Sequence, residues 1–176
     1  MKAFRNSYPA YLFLYSFYFM STALFTTLIS VYLIGRQYSA SQVSNLVSTA
    51  FFLSMLAQPL FGYINERFGI VKITTLSLVV LMAGVGGFIW APNYFWLTIF
   101  YGLVLLCLNG TAPMMEVFAT QSPYAFGKIR VWGTLGYAAG AHLAGWLYAH
   151  LSPQSVYYCV LLTLLLSFLT LGAIRI

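Results

Sequence analysis

Two side chains of opposite charge stand inside long apolar stretches of this chain: Glu116, in a run that starts near Phe95, and Arg130, in one that starts at Ile129. A charge at membrane depth costs at least ~2.5–3.5 kcal/mol even on insertion scales, so each must face a partner, a cavity or water. A carboxylate accepts hydrogen bonds and a guanidinium donates them in a planar fork, so together they could hold a ligand rich in hydroxyl groups. The same two groups could equally be a structural ion pair that ties two helices together. Tyr137 follows Arg130 after close to two helical turns and shares its face, with Gly133 and Thr134 between them. An aromatic ring beside an arginine suits a pyranose, whose C–H face packs on the ring while its hydroxyls meet the guanidinium. With 14 tyrosines in the chain, an interfacial anchor is the ordinary alternative for Tyr137.

Other reactive residue types carry less. His142 falls mid-run and could move protons or hydrogen-bond a neighbouring helix, and His150 lies near the outer end of the same run, where water reaches it. Cys107 and Cys159 are expected to be small packing residues. Two Cys, two His and two carboxylates supply neither a disulfide framework nor a metal cluster. No nucleophile, base and orienter stand at compatible positions, so an enzyme, a resident cofactor and a metal site are not expected.

The elements that position these residues follow from composition. The chain is 61% hydrophobic and 6% charged with a mean hydropathy of +0.86, against ~45–50% and ~25% for globular proteins, so its solvent is lipid. Continuous apolar runs predict an all-α membrane protein of six spans, at about 8–34, 43–64, 73–89, 95–118, 129–151 and 156–174. They form one bundle over 1–176 with no soluble domain, and no alternating segments of the β-barrel kind. Ser41 is the expected N-cap of the second span, and Asn109, Gly110 and Pro113 are expected to interrupt the fourth beside Glu116. Gly133, Gly136, Gly140, Ala144 and Gly145 make the fifth span narrow enough for another backbone to approach. The first run is too long for a signal peptide, whose apolar core has ~7–15 residues.

The net charge of +6 reads as a topology signal, and no nucleic-acid partner is expected. Lys2, Arg5, Arg67, Lys72, Lys128 and Arg175 fall on one side of this layout and Arg36 alone on the other. Basic residues in short connections stay in the cytoplasm, which places both termini there in a multi-pass protein of the cell membrane.

The joint after span 2, Gly62-Tyr63-Ile64-Asn65-Glu66-Arg67-Phe68-Gly69-Ile70-Val71-Lys72, resembles the G-x-x-x-D-R/K-x-G-x-R/K-R/K loop of the major facilitator superfamily. It departs at Glu66, where the family has Asp, and at Val71, where it has a basic residue. Gln58-Pro59-Leu60-Phe61-Gly62 is similar to the end of helix 2 in the lactose permease branch, the oligosaccharide:proton symporters. Ala112-Pro113-Met114-Met115-Glu116-Val117-Phe118 is similar to the stretch carrying that branch's sugar-binding glutamate. Phe126-Gly127-Lys128-Ile129-Arg130-Val131-Trp132-Gly133-Thr134-Leu135-Gly136-Tyr137 resembles its helix 5, with Arg130 at the essential arginine and Tyr137 where a tryptophan stacks on the sugar. The same stretch is equally close to the phenylpropionate permease branch, and the connection between Glu116 and Arg130 is several residues shorter than in the sugar branch.

The resemblance implies one half of a major facilitator fold, built as two inverted three-helix repeats. It implies substrate contacts at Glu116, Arg130 and Tyr137, and a conformational-switch loop at Gly62, Glu66, Arg67, Gly69 and Lys72. The implied activity is proton-coupled symport of a sugar by alternating access, with protons as coupling ion and the lipid bilayer as surroundings. The implied partner is a second six-helix half, either a separate C-terminal half or a second copy. An aromatic-acid permease, in which Arg130 pairs the substrate carboxylate, and a non-transporting scaffold or truncated protein are the alternatives.

Overall fold

The computed structural model describes residues 6–174, so Lys2, Arg5 and Arg175 lie outside the described residues. Seven α-helices account for the fold: α1 (Tyr8–Thr26), α2 (Ile29–Gly35), α3 (Ala40–Phe68), α4 (Ile70–Ile89), α5 (Tyr94–Thr120), α6 (Phe126–His150) and α7 (Pro153–Leu171). α1 and α2 continue as one rod, so the helices make six rods. The rod is broken where hydroxyls bond back into it. Ser21 and Thr22 both donate to the Tyr18 carbonyl and Thr26 donates to that of Thr22, and such back-bonding bends helices.

Five rods are long and apolar enough to cross a membrane: Tyr8–Gly35, Ala40–Phe68, Ile70–Ile89, Tyr94–Thr120 and Pro153–Leu171. The sixth, α6, is as long at 25 residues, but Lys128, Arg130, two histidines and its glycines dilute its hydropathy. α6 is the expected fifth span, and it also carries half of the charged pair.

Caps and breaks differ from expectation in two further places. The N-cap of α3 is Ser39, not Ser41: Ser39 Oγ accepts from the Gln42 amide at 3.2 Å while Gln42 Oε1 accepts from the Ser39 amide at 2.9 Å. That reciprocal box satisfies two otherwise orphaned donors, which a lone serine at 41 would not. α5 runs unbroken through Asn109, Gly110 and Pro113. Proline removes a single backbone donor, and the packed neighbours hold the remaining ladder.

α1 packs between α6 and α7, α5 packs between α3 and α4, and α4 meets α7 in the middle. Exchanging α1 with α5, α3 with α6 and α4 with α7 maps this pattern onto itself. Because α1 and α5 start at opposite ends of the bundle, the two three-helix units are inverted relative to each other. An aromatic cluster of Phe25, Tyr32, Phe88, Tyr101 and Tyr157 fills the core toward the end of the bundle that bears Arg36, with Tyr32 and Tyr157 centroids 4.6 Å apart and Phe88 and Tyr157 4.9 Å apart.

The rod ends sort the charges of the described residues. Arg67, Lys72 and Lys128 lie at one end of the bundle; Arg36 lies at the other, where its Nη2 donates to the Ala91 carbonyl at 3.3 Å.

Candidate functional site

Glu116 sits one turn before the end of α5 and Arg130 on the second turn of α6. The connection between them is short and pinned by Ser122, whose hydroxyl bonds the carbonyls of Ala119 at 2.8 Å and Tyr124 at 3.1 Å. The antiparallel turn thus brings two residues near one mouth of the bundle into contact: Arg130 Nε lies 3.2 Å from Glu116 Oε1. The side chains remain 41% and 37% exposed. The contact runs through Nε. Charges this open cannot face hydrocarbon, so the surface they occupy belongs to a water-filled or ligand-filled space.

α1 forms the floor of the site. The Arg130 guanidinium carbon stands 4.9 Å from the Phe19 ring centroid, a cation–π placement that fixes the fork from below. This requires glycine on α6: a Cβ at Gly133 would stand 2.8 Å from the Phe19 ring and 3.1 Å from that of Tyr15. Further along, a Cβ at Gly136 would meet the Ser16 carbonyl oxygen at 2.3 Å and one at Gly140 the Met20 carbonyl oxygen at 2.6 Å. Gly133, Gly136, Gly140 and Ala144 serve packing as expected, with α6 lying directly on the α1 backbone, whereas Gly145 is exposed and a Cβ there would meet nothing within 4 Å. α1 is also tied to α5: Tyr15 donates to the Met115 carbonyl, one residue before Glu116, and Tyr18 donates to the Leu108 carbonyl at 2.8 Å.

Tyr137 is 43% exposed and lies about two turns along α6 on the Arg130 face. The three residues Glu116, Arg130 and Tyr137 therefore open onto one side of the bundle. His142 does not join them. It is exposed, but about 120° round the helix from Arg130, among the exposed apolar Val131, Leu135 and Trp146. His150 stacks on Trp146 with centroids 5.2 Å apart. Cys107 is buried and Cys159 partly so, as packing residues are.

The expected joint from Gly62 to Lys72 is mostly helical: it spans the last two turns of α3, Gly69 and the start of α4, with Gly69 at φ +87° ending α3. That backbone conformation selects glycine. Glu66, Arg67 and Lys72 are exposed, and Arg67 lies 5.6 Å from the Phe68 ring centroid. Gly62 is exposed, and a Cβ there would meet nothing within 4 Å. Its lack of a side chain is not required by packing within this bundle.

Two contributors were not singled out as site residues from the sequence. Phe19 is one of 15 phenylalanines in the chain and carries no local signal that it underlies Arg130. Asn109 Nδ2 donates to Ser54 Oγ at 2.7 Å, linking α5 to α3. Its signal in the sequence is a strongly polar amide in an apolar run.

Over 171 residues the chain is 27% identical to the sucrose permease of Escherichia coli, an alignment covering 89% of this chain and 41% of that protein. It is 29% identical over 171 residues to the maltose permease of Geobacillus stearothermophilus, covering 92% of this chain and 42% of that protein. The chain spans about two-fifths of the length of these relatives. A sequence profile of the MFS_1 like family matches residues 8–175, and with six helical rods in two inverted units beneath that match, the chain belongs to this family of major facilitators.

Proposed function

We propose that this bundle forms one wall of a membrane transport path for a neutral sugar, with Glu116 and Arg130 gripping hydroxyls and Tyr137 stacking on the ring. The observation that carries the proposal is the open Arg130–Glu116 pair at 3.2 Å. Joined, the two groups are electrically neutral overall yet offer acceptor lone pairs on one side and guanidinium donors on the other. A sugar hydroxyl both donates and accepts, so it can bridge them without disturbing the charge balance. A carboxylate ligand would be repelled by Glu116 and would have to displace it from Arg130, which speaks against an aromatic acid. The relatives are named for sucrose and maltose, which supports a sugar over an acid.

A structural strut is also disfavoured. Ion pairs as exposed as this one contribute only ~0–1 kcal/mol to stability, too little to justify two charges placed within apolar helices. Transport on this proposal proceeds by alternating access against a second six-helix bundle and draws on protons as coupling ion. The Gly62 to Lys72 joint switches between states by exchanging charge contacts of Glu66, Arg67 and Lys72. The bundle end bearing Arg67, Lys72 and Lys128 faces the cytoplasm by the basic-residue rule.

The test is uptake of labelled sucrose, maltose and phenylpropionate into proteoliposomes containing this chain, with and without an imposed proton gradient. Gradient-dependent uptake of a disaccharide alone is the expected result. Uptake of phenylpropionate alone would overturn the sugar assignment.

A further inference from the structure

Arg36, at the end of the bundle away from the sugar site, has a side chain with an unmet demand. Among the described residues two buried side-chain polar atoms lack a hydrogen-bond partner, and one is Arg36 Nη1. Its Nη2 has the Ala91 carbonyl at 3.3 Å, and its guanidinium carbon stands 5.9 Å from the Tyr32 ring centroid. No carboxylate side chain of this chain can serve it. Glu66 and Glu116 are the only two: Glu116 is engaged by Arg130, and Glu66 lies near the far end of α3, at the opposite end of the bundle. A guanidinium with a buried, unpartnered nitrogen is costly unless an acceptor completes it, and an anion is the acceptor its fixed positive charge favours.

The space for that anion is present. Tyr32, Gly35, Arg36, Tyr148, Ser152, Pro153 and Gln154 line a cavity of about 370 Å³ between the ends of α2, α6 and α7. Ser152 is the N-cap of α7, so the cavity also receives the positive end of a 19-residue helix. At this end of the bundle Trp90, Trp146 and Leu151 are exposed, the arrangement of an aromatic belt at the level of lipid headgroups. A guanidinium fork matches a phosphate oxyanion in geometry and charge.

We propose that the Arg36 cavity binds a phosphate oxyanion, carried by a phospholipid headgroup or free in solution. Arg36 supplies the fork, and the hydroxyls of Tyr148 and Ser152 complete the shell. This site is independent of Glu116 and Arg130, so its success or failure leaves the sugar proposal untouched.

Native mass spectrometry of the purified chain in a neutral detergent tests it, with phosphatidylglycerol, chain-matched diacylglycerol and inorganic phosphate as probes. Expected is one tightly held phosphatidylglycerol per chain, weakened about tenfold or more in Arg36→Gln, the size of a lost charge-assisted hydrogen bond. Binding of inorganic phosphate with the same dependence on Arg36, without retention of the lipid, would support the site and identify the free anion as the source. Arg36→Lys, which keeps the charge and loses the fork, and Tyr148→Phe should each weaken binding several-fold, and they carry the test if Arg36→Gln does not fold. Phosphate probes held equally by wild type and variants would overturn the proposal, as would diacylglycerol held with the same dependence on Arg36.

Discussion

α3 and α6 hold equivalent places in the two inverted units, yet they meet their neighbours and their surroundings in opposite ways. α3 buries only Val43, Leu46, Ala50 and Ser54 along 29 residues and exposes Phe51, Phe52, Met55, Leu56, Leu60 and Tyr63. It touches α5 through side chains, with the Phe61 ring over Gly110 and Ser54 accepting from Asn109. α6 instead seats Gly136 and Gly140 directly on the α1 backbone, and on the adjoining face it exposes Arg130 and Tyr137. Symmetry thus sets which helices pack, while sequence sets what each exposes. Close glycine packing holds α6 rigidly enough to position a charged side chain, and the apolar face of α3 can meet lipid or protein without that precision.

The largest expected effect separates the two helices at a single glycine each. Gly136→Leu drives carbon into the Ser16 carbonyl and is expected to cost ~3 kcal/mol or more. Gly62→Leu meets nothing within 4 Å and should stay within ~0.5 kcal/mol. Thermal unfolding of the two variants in detergent decides it; equal damage would break the comparison.

Next come the charges on the polar face. Glu116→Ala and Arg130→Ala should each weaken sugar binding by at least about tenfold, since each removes a charged hydrogen-bonding partner. Their thermal midpoints should barely move, because so exposed a pair adds only ~0–1 kcal/mol. Tyr137→Ala should weaken binding ~3–10-fold, the worth of one aromatic stacking contact, whereas Tyr137→Phe keeps the ring and should be close to wild type. A strong loss in the Phe variant, measured by the same titration, would transfer the role from ring to hydroxyl. The smallest effect is on the α3 side: Ser54→Ala should lower stability by ~0.6 kcal/mol, the average for hydrogen bonds between membrane helices, and leave sugar binding unchanged.

Much of this arrangement was legible in the sequence because lipid imposes simple rules. Apolar runs marked the rods to within a few residues, and two opposite charges in consecutive antiparallel runs pointed to each other. The glycines from Gly133 to Gly140 announced a close contact but not its partner, since small residues fit any backbone that comes near. The break at Thr27 was hidden because Ser21, Thr22 and Thr26 disturb a helix through hydroxyl geometry that hydropathy does not record. Pro113 misled in the other direction: its polar surroundings suggested an interruption, and packing against α3, α4 and α1 keeps the helix whole. Phe19 was illegible because contacts across α1 and α6 depend on tertiary packing, and its chemistry is that of every other phenylalanine in the chain.

The central claim is that Glu116 and Arg130 form a ligand-binding pair and not a strut. The direct test is thermal melting, with and without saturating sucrose or maltose, of four proteins: wild type, Glu116→Arg, Arg130→Glu and the double exchange. A bound ligand raises the melting temperature of any form that binds it. The expected result is sugar-dependent stabilisation of wild type alone, with unliganded melting temperatures of all four close together. Single exchanges that unfold, with the double exchange restoring stability, would show the pair to be a strut and contradict the account.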